Sequence, residues 1–165
     1  MIFRALFPLL FLGFVAASHA PGHFRSGVWQ GNANFDEEGA FSDCLMTAEA
    51  PSGILLGFVI SKDFEWGLVL ADETRRFQVG TNKAVMLHVD GYEPIAALAK
   101  VVDVHGILIP LQYTDPVIDV MRAEKTLRIV TEETEFRFPL TGTRDAIPEL
   151  AQCVAEHQGS NRVDS

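Results

Sequence analysis

The sequence has few cysteines, few basic residues and no long apolar run after its first 20 residues. Cys44 and Cys153 are the only cysteines in 165 residues, so the chain can form at most one internal disulfide. Basic residues number 13 against 22 acidic ones, a formal net charge of −9, and they form no cluster. This balance argues against nucleic acid as a partner, because binding a polyphosphate needs clustered Lys and Arg.

Sequence motifs for catalysis are also missing. There is no Gly-x-Ser-x-Gly elbow and no glycine-rich phosphate loop. The histidines are scattered without metal-ligand spacing. The sequence therefore predicts no cofactor and no metal, and it assigns no catalytic residue. A hydrolase based on two carboxylates stays open as an alternative, because acids that meet across a sheet leave no sequence signature.

Two acidic segments are the best candidates for a metal site, and both have a simpler interpretation. Asp103 and His105 form a close acid–histidine pair, and they lie beside a turn. Residues 36–38, Asp-Glu-Glu, lack the alternating oxygen ligands of a calcium loop. We interpret the first as a solvated turn and the second as a charged hairpin.

Residues 1–20 have the pattern of a secretory signal peptide. Arg4 precedes an apolar run from Ala5 to Val15, and small residues follow. Cleavage after Ala17 or after Ala20 fits, although Pro21 disfavours the second site. No later run of apolar residues is long enough to span a membrane, because about 18 uninterrupted ones are needed. We therefore expect a periplasmic or secreted chain without a transmembrane segment.

The mature chain is expected to be one β-rich domain, residues 21–157, followed by a disordered tail, residues 158–165. Two cysteines in an exported chain favour a disulfide between Cys44 and Cys153 over free thiols. Such a bond closes a loop of about a hundred residues, for which chain entropy gives roughly 4–5 kcal/mol as an upper figure.

Alternation of apolar and polar residues with period two dominates the chain from Gly27 to Leu140. It predicts about nine short strands in an antiparallel meander that packs as a β-sandwich or a partly open barrel. A short strand is expected around Phe77 and Val79. Residues 95–104 could form a helix or a strand, and the β-branched residues Val101, Val102 and Val104 at the end of this segment favour a strand.

Two helices are expected among these strands. The dipeptide Asp115-Pro116 suggests an N-cap followed by proline in the first turn of a helix ending near Ala123. A C-terminal helix follows Gly142, with one apolar stripe that includes Cys153. Pro148 interrupts that pattern, so this helix is expected to start only near residue 147.

The aromatic residues set the functional alternatives. Trp29, Trp66 and the phenylalanines point inward by alternation, which favours a packed core over a ligand cavity. A packed core with an exposed apolar patch indicates a non-catalytic protein that binds another protein. An apolar cavity indicates a carrier or inhibitor with a lipocalin-like barrel, and two close carboxylates in a polar cleft indicate a hydrolase.

Three segments resemble the second half of the invasion-associated locus B family, as well as exported alphaproteobacterial proteins of similar layout. They are Ala84–Gly91 with its Val-Asp-Gly ending, Met121–Val130, and Phe136–Leu150, in which a strand leads through Leu-Thr-Gly into a helix. The match covers about 60 residues, and its individual motifs are loose. The resemblance implies an exported β-rich protein that acts at the envelope or host surface.

This sequence departs from the family pattern in its cysteines. The family usually has a cysteine pair between the Val-Asp-Gly strand and the short helix, whereas residues 92–110 contain none here. Cys153 in the C-terminal helix has no counterpart in the family pattern. The resemblance supplies no catalytic residue.

Overall fold

The computed structural model describes residues 22–112 and 114–160. The predicted signal peptide and residues 161–165 of the predicted tail lie outside these residues. The described chain forms ten strands and two helices: β1 Phe24–Ser26, β2 Trp29–Phe35, β3 Phe41–Glu49, β4 Leu55–Ser61, β5 Trp66–Ala71, β6 Asn82–Val89, β7 Ile95–Asp103, β8 Gly106–Leu111, α1 Asp115–Met121, β9 Thr126–Val130, β10 Glu135–Pro139 and α2 Thr143–Ser160.

All ten strands belong to one antiparallel sheet in the order β1-β2-β3-β4-β5-β8-β7-β6-β9-β10. This confirms the predicted class, a mainly β antiparallel fold with one short helix and a C-terminal helix. The sheet is open, with β1 at one end and β10 at the other, so the chain does not form a two-sheet sandwich. Residues 95–103 form a strand, as the β-branched residues predicted.

The order departs from a simple meander at residues 72–81. After β5 the chain crosses over and enters β6, which lies three strands beyond it, and β7 and β8 then fill the two places between them. The prediction of a strand around Phe77 and Val79 is wrong, because residues 72–81 form the connection that passes from β5 over the ends of β8 and β7 to β6. Phe77 donates its amide to Val104, and the side chain of Val79 is 53% exposed.

The sheet curls so that its two ends approach each other. Trp29 in β2 donates its indole N–H to the carbonyl of Thr141, just after β10, at 2.9 Å. Its side chain is fully buried and meets the ring of Phe58 edge to face, at 5.5 Å between centroids. The structure is therefore a partly open barrel in which Trp29 bridges the opening.

Helix α2 begins at Thr143, four residues before the predicted start, and contains Pro148 in its interior. Proline removes the amide that would bond the carbonyl of Arg144. Arg122 supplies a replacement, because its Nε donates to that carbonyl at 3.4 Å. The helix also continues through Ser160, three residues into the segment predicted as tail.

The start of α1 differs by one residue from the prediction. Thr114, with extended backbone angles, occupies the N-cap position, whereas Asp115 is the first residue of the helix. The carbonyl of Thr114 accepts the amides of Val117 and Ile118. No helix in the described part of the chain is long and apolar enough to cross a membrane.

Candidate interaction surface

The concave face of the curled sheet holds a packed core. Side chains from nearly every strand meet there, among them Trp29, Phe58 and Leu68, each fully buried. Helix α2 contributes the predicted apolar stripe, with Ala146, Ile147, Leu150, Cys153 and Val154 all buried. Both tryptophans and four of the phenylalanines therefore pack as core, as predicted. The prediction is wrong for Phe35 and Phe64, which are 52% and 45% exposed because they stand at a strand end and in a turn.

A disulfide joins Cys44 on the inner face of β3 to Cys153 in α2, which confirms the predicted pair. The two Cα atoms are 6.2 Å apart, and both side chains are buried. His157 lies one turn further along α2, with Nδ1 at 2.8 Å from the Cys153 carbonyl and its ring stacked on Phe41. Since both sulfurs are bonded to each other, this Cys–Cys–His group has no thiolate to offer a metal.

The other candidate residues from the sequence serve turns. Asp103 accepts the backbone N–H of His105 at 2.9 Å, and Nδ1 of that histidine lies 2.6 Å from the Arg75 carbonyl. Asp36 accepts the backbone N–H of Ala40 at 2.7 Å and so closes the hairpin between β2 and β3. The structure does not bring these two acidic segments together.

Asp72 carries the one carboxylate that is buried among the described residues. Its Oδ1 accepts the backbone amide and the hydroxyl of Thr74 at 3.0 and 2.6 Å, and its Oδ2 accepts Nε of Arg75 at 3.1 Å. Arg75 also donates to Thr134 and lies over the ring of Phe136. This cluster fastens the crossing segment, residues 72–81, to the start of β10.

The Asp72 cluster makes stability depend on pH. Burial raises the pKa of this carboxyl, but the hydrogen bonds from Thr74 and the charge of Arg75 outweigh it and hold the pKa below 3.8. Because the folded pKa is depressed, its stabilisation is present above the unfolded pKa and is lost as pH falls through the folded value.

We expect Asp72→Asn to lower the free energy of unfolding near pH 7 and to lose this deficit as the pH falls below 3.8 and through the lowered pKa of Asp72. Urea unfolding of both proteins across this range measures it. The exposed acid Glu73 provides the control variant, Glu73→Gln, with little effect at any pH. A deficit in Asp72→Asn that stays constant as pH falls would contradict the assignment.

The convex face of the sheet is apolar where a solvent face is usually polar. At its centre Leu45, Val59, Val69 and Leu108, from four adjacent strands, are half-buried, although no helix of the described chain packs over them. Leu98 on β7 extends this apolar area and is 55% exposed. Contiguous exposed apolar surface of this kind marks an interaction site.

One end of this convex face forms a groove of about 500 Å³. We call it the outer groove; its lining includes Asp43, Val59, Phe64, Glu65, Gly67, Lys100, Leu108 and Pro110. Gly67 lies in its floor between two apolar side chains, since a Cβ there would lie 2.9 Å from Leu108 Cδ1 and 3.3 Å from Val59 Cγ1. The absence of a side chain at this position of β5 lets Leu108 and Val59 pack closely over the glycine and form an apolar floor.

Phe64 stands at the rim of the outer groove in a strained conformation. Its φ is +59°, a left-handed value that is rare for a bulky residue, and its side chain is 45% exposed. Ser61 stabilises the turn, since its hydroxyl oxygen accepts the amides of Asp63 and Glu65. An exposed aromatic ring held at a cost of about 1–3 kcal/mol is typical of a functional position.

The outer groove was not predicted from the sequence, although two glycines gave a signal. Gly57 and Gly67 lie inside strands, where glycine often marks close approach by another group. The uninterrupted apolar run of β4 predicts burial on both faces, yet Val59 is only half-buried. The apolar pattern does not show that no helix of the described chain covers the second face of β4.

A second, smaller cleft lies where the sheet fails to close. We call it the seam cleft; it has a volume of about 260 Å³, and its lining includes Val28, Trp29, Glu49, Leu56, Phe138 and Pro139. Val28 is 64% exposed at its edge, and Glu49 is the charged residue of the lining. The cleft can hold a small apolar group.

The fold belongs to a recognisable class, an open and strongly curled antiparallel sheet that is linked to a C-terminal helix. The crystal structure of invasion associated protein B from Bartonella henselae shares it, with a TM-score of 0.57 and 20% sequence identity. The match covers 81% of this chain and 97% of that one. The expected resemblance is confirmed in fold. No protein-family model and no curated protein sequence matches the chain.

Proposed function

We propose that this protein is an exported, non-catalytic interaction protein of the periplasm or cell exterior that binds a partner protein through the convex face of its sheet. The observation that carries the proposal is the combination of a packed interior with an uncovered apolar outer face around the outer groove. Large exposed apolar areas are costly in a monomer and are characteristic of binding surfaces.

Two features support the compartment. The first 20 residues have the signal-peptide pattern, and the disulfide between Cys44 and Cys153 is of a kind that persists in oxidising compartments. The neighbour in fold is described as an invasion associated protein. By analogy of fold alone, we extend the proposal to a role at the envelope or the host surface.

A carrier of small apolar ligands is the second candidate, and the seam cleft favours it. Its volume suits only a small ligand, and Trp29 fills the interior beside it. A hydrolase has less support, because the buried carboxylate Asp72 is bonded to Arg75 and Thr74.

Site-specific photo-crosslinking in living cells of the organism that produces this protein tests the proposed function. A photoreactive phenylalanine analogue replaces Phe64 or Leu98 on the convex face, and Tyr92, 44% exposed in the turn after β6, provides the matched control. We expect discrete crosslinked bands from the first two positions and none from the control. Equal labelling at all three positions, or no adduct at any of them, would contradict the proposal.

A fractionation experiment tests export separately. The full chain, expressed in a bacterium, should be recovered outside the cytoplasm with an N-terminus at Ser18 or Pro21, as intact mass and N-terminal sequencing would show. Full-length protein confined to the cytoplasm would contradict this part of the proposal.

A further inference from the structure

We propose that the outer groove binds an extended segment of the partner protein in which one apolar side chain lies between a basic and an acidic residue. This inference rests on the proposed function and specifies its partner. The apolar side chain packs on the floor formed by Val59, Gly67 and Leu108, the basic residue faces Asp43 and Glu65, and the acidic residue faces Lys100.

The floor of the outer groove favours an apolar side chain. Val59 and Leu108 border Gly67 on either side, as the contacts of a Cβ built on this glycine show. Phe64 adds an exposed ring at the rim. A pocket with apolar walls and an aromatic edge gains most from burying an aliphatic or aromatic anchor, which is the usual centre of a binding hot spot.

The two sides of the outer groove carry opposite charges. Asp43 lies on β3, and Glu65 precedes β5, whereas Lys100 lies on β7 and pairs with Leu108 of β8. Within residues 22–112 and 114–160, neither Lys100 nor Glu65 takes part in an ion pair. Both side chains are exposed and so remain available to a partner. Charges arranged in this way fix the direction in which a segment binds.

Strand spacing sets the length of the segment. From β3 to β7 the order is β3-β4-β5-β8-β7, or four interstrand spacings. At about 4.8 Å each, they put Asp43 and Lys100 roughly 19 Å apart across the strands. Lys100 is level with Val69 of β5, whereas Asp43 is level with Glu65, and this offset of four residues adds roughly 13 Å along the strands. The backbone positions are therefore about 23 Å apart, and an extended segment of about six residues at ~3.3 Å per residue reaches both ends once the length of the charged side chains is included. The basic and acidic residues of the partner should therefore be about five or six positions apart, with the apolar residue midway.

Synthetic peptides test this partner class directly. The probe is a fluorescein-labelled, end-blocked peptide of sequence Ser-Arg-Ser-Thr-Leu-Thr-Ser-Glu-Ser, titrated with the mature protein by fluorescence anisotropy. We expect measurable binding that is lost when Leu is replaced by Ser. We also expect it to weaken by about threefold to fivefold with Lys100→Glu, the range for an exposed charge pair.

Charge reversal on both sides identifies the contact. A peptide with Lys in place of its Glu should regain affinity for the Lys100→Glu protein and bind wild type more weakly. Lys125→Glu provides the matched control, because it makes the same change in net charge at an exposed residue outside the groove. Equal weakening by both variants, or no recovery with the reversed peptide, would overturn the assignment to Lys100.

The result separates this inference from the function on which it rests. If crosslinks form at Phe64 and Leu98 but no peptide of the set binds, the partner class is wrong and the proposed function stands. Preference for a peptide with two acidic residues would also overturn the partner class. Absence of crosslinks at both positions overturns the proposed function, whatever the peptides do.

Discussion

Cys153→Ala is expected to lower the free energy of unfolding by about 3–5 kcal/mol and the melting temperature by roughly 10 °C or more. The bond closes a loop with a sequence separation of 109 residues, and opening it enlarges the unfolded ensemble. It also attaches α2, which packs against β1 to β4, to the centre of the first half of the sheet. Thermal and urea unfolding followed by circular dichroism measure both quantities.

The paired cysteine supplies the controls. Cys44→Ala should cost as much as Cys153→Ala, and the double variant should cost little more than either, because all three remove the same bond. Gln152→Ser, at an exposed neighbouring position of α2, should change stability by only a few tenths of a kcal/mol. Unchanged melting temperatures in both single variants would show that the bond contributes little to the fold.

Trp29→Ala is expected to cost about 3–5 kcal/mol, the range for removing a large aromatic side chain from a core. Trp29 is fully buried, packs against Phe58 and donates to the Thr141 carbonyl across the opening of the barrel. Its removal leaves a void between β2 and the segment that leads into α2. Equilibrium unfolding in urea, at a pH at which both proteins are native, gives the difference.

Trp29→Phe separates packing from the hydrogen bond. It keeps most of the apolar volume and loses the indole N–H, so we expect a cost of about 1–2 kcal/mol. Val28→Ala, at the neighbouring residue with 64% exposure, should have little effect on stability. If Trp29→Phe cost as much as Trp29→Ala, packing against Phe58 would not be the main contribution.

Local patterns predicted those parts of the fold that depend on local physics. Alternation in residues 136–140 gave a strand because successive side chains of a strand point to opposite faces. The apolar stripe of α2 gave the helix and its buried face, although Pro148 misplaced its start. That error has a tertiary cause, because the carbonyl left free by proline is satisfied by Arg122, 22 residues away in sequence.

The strand order was beyond the reach of periodicity. Alternation shows which residues share a face, but it does not show which strand is the neighbour of β5. The crossing at residues 72–81 is fixed by long-range contacts, in which Asp72 holds Arg75 and Arg75 reaches Thr134, 59 residues away. For the same reason, a short strand was wrongly assigned where the chain only crosses.

By itself, the sequence determined the mainly β class, the pairing of its two cysteines and an inward set of aromatic residues, since each follows from local spacing or from residue counts. Only the tertiary structure decided the outer groove. Asp43, Phe64, Gly67 and Lys100 come from separate strands and turns, and no periodic pattern links them. Their convergence depends on strand order and on the curl of the sheet, which long-range pairing and core packing fix together.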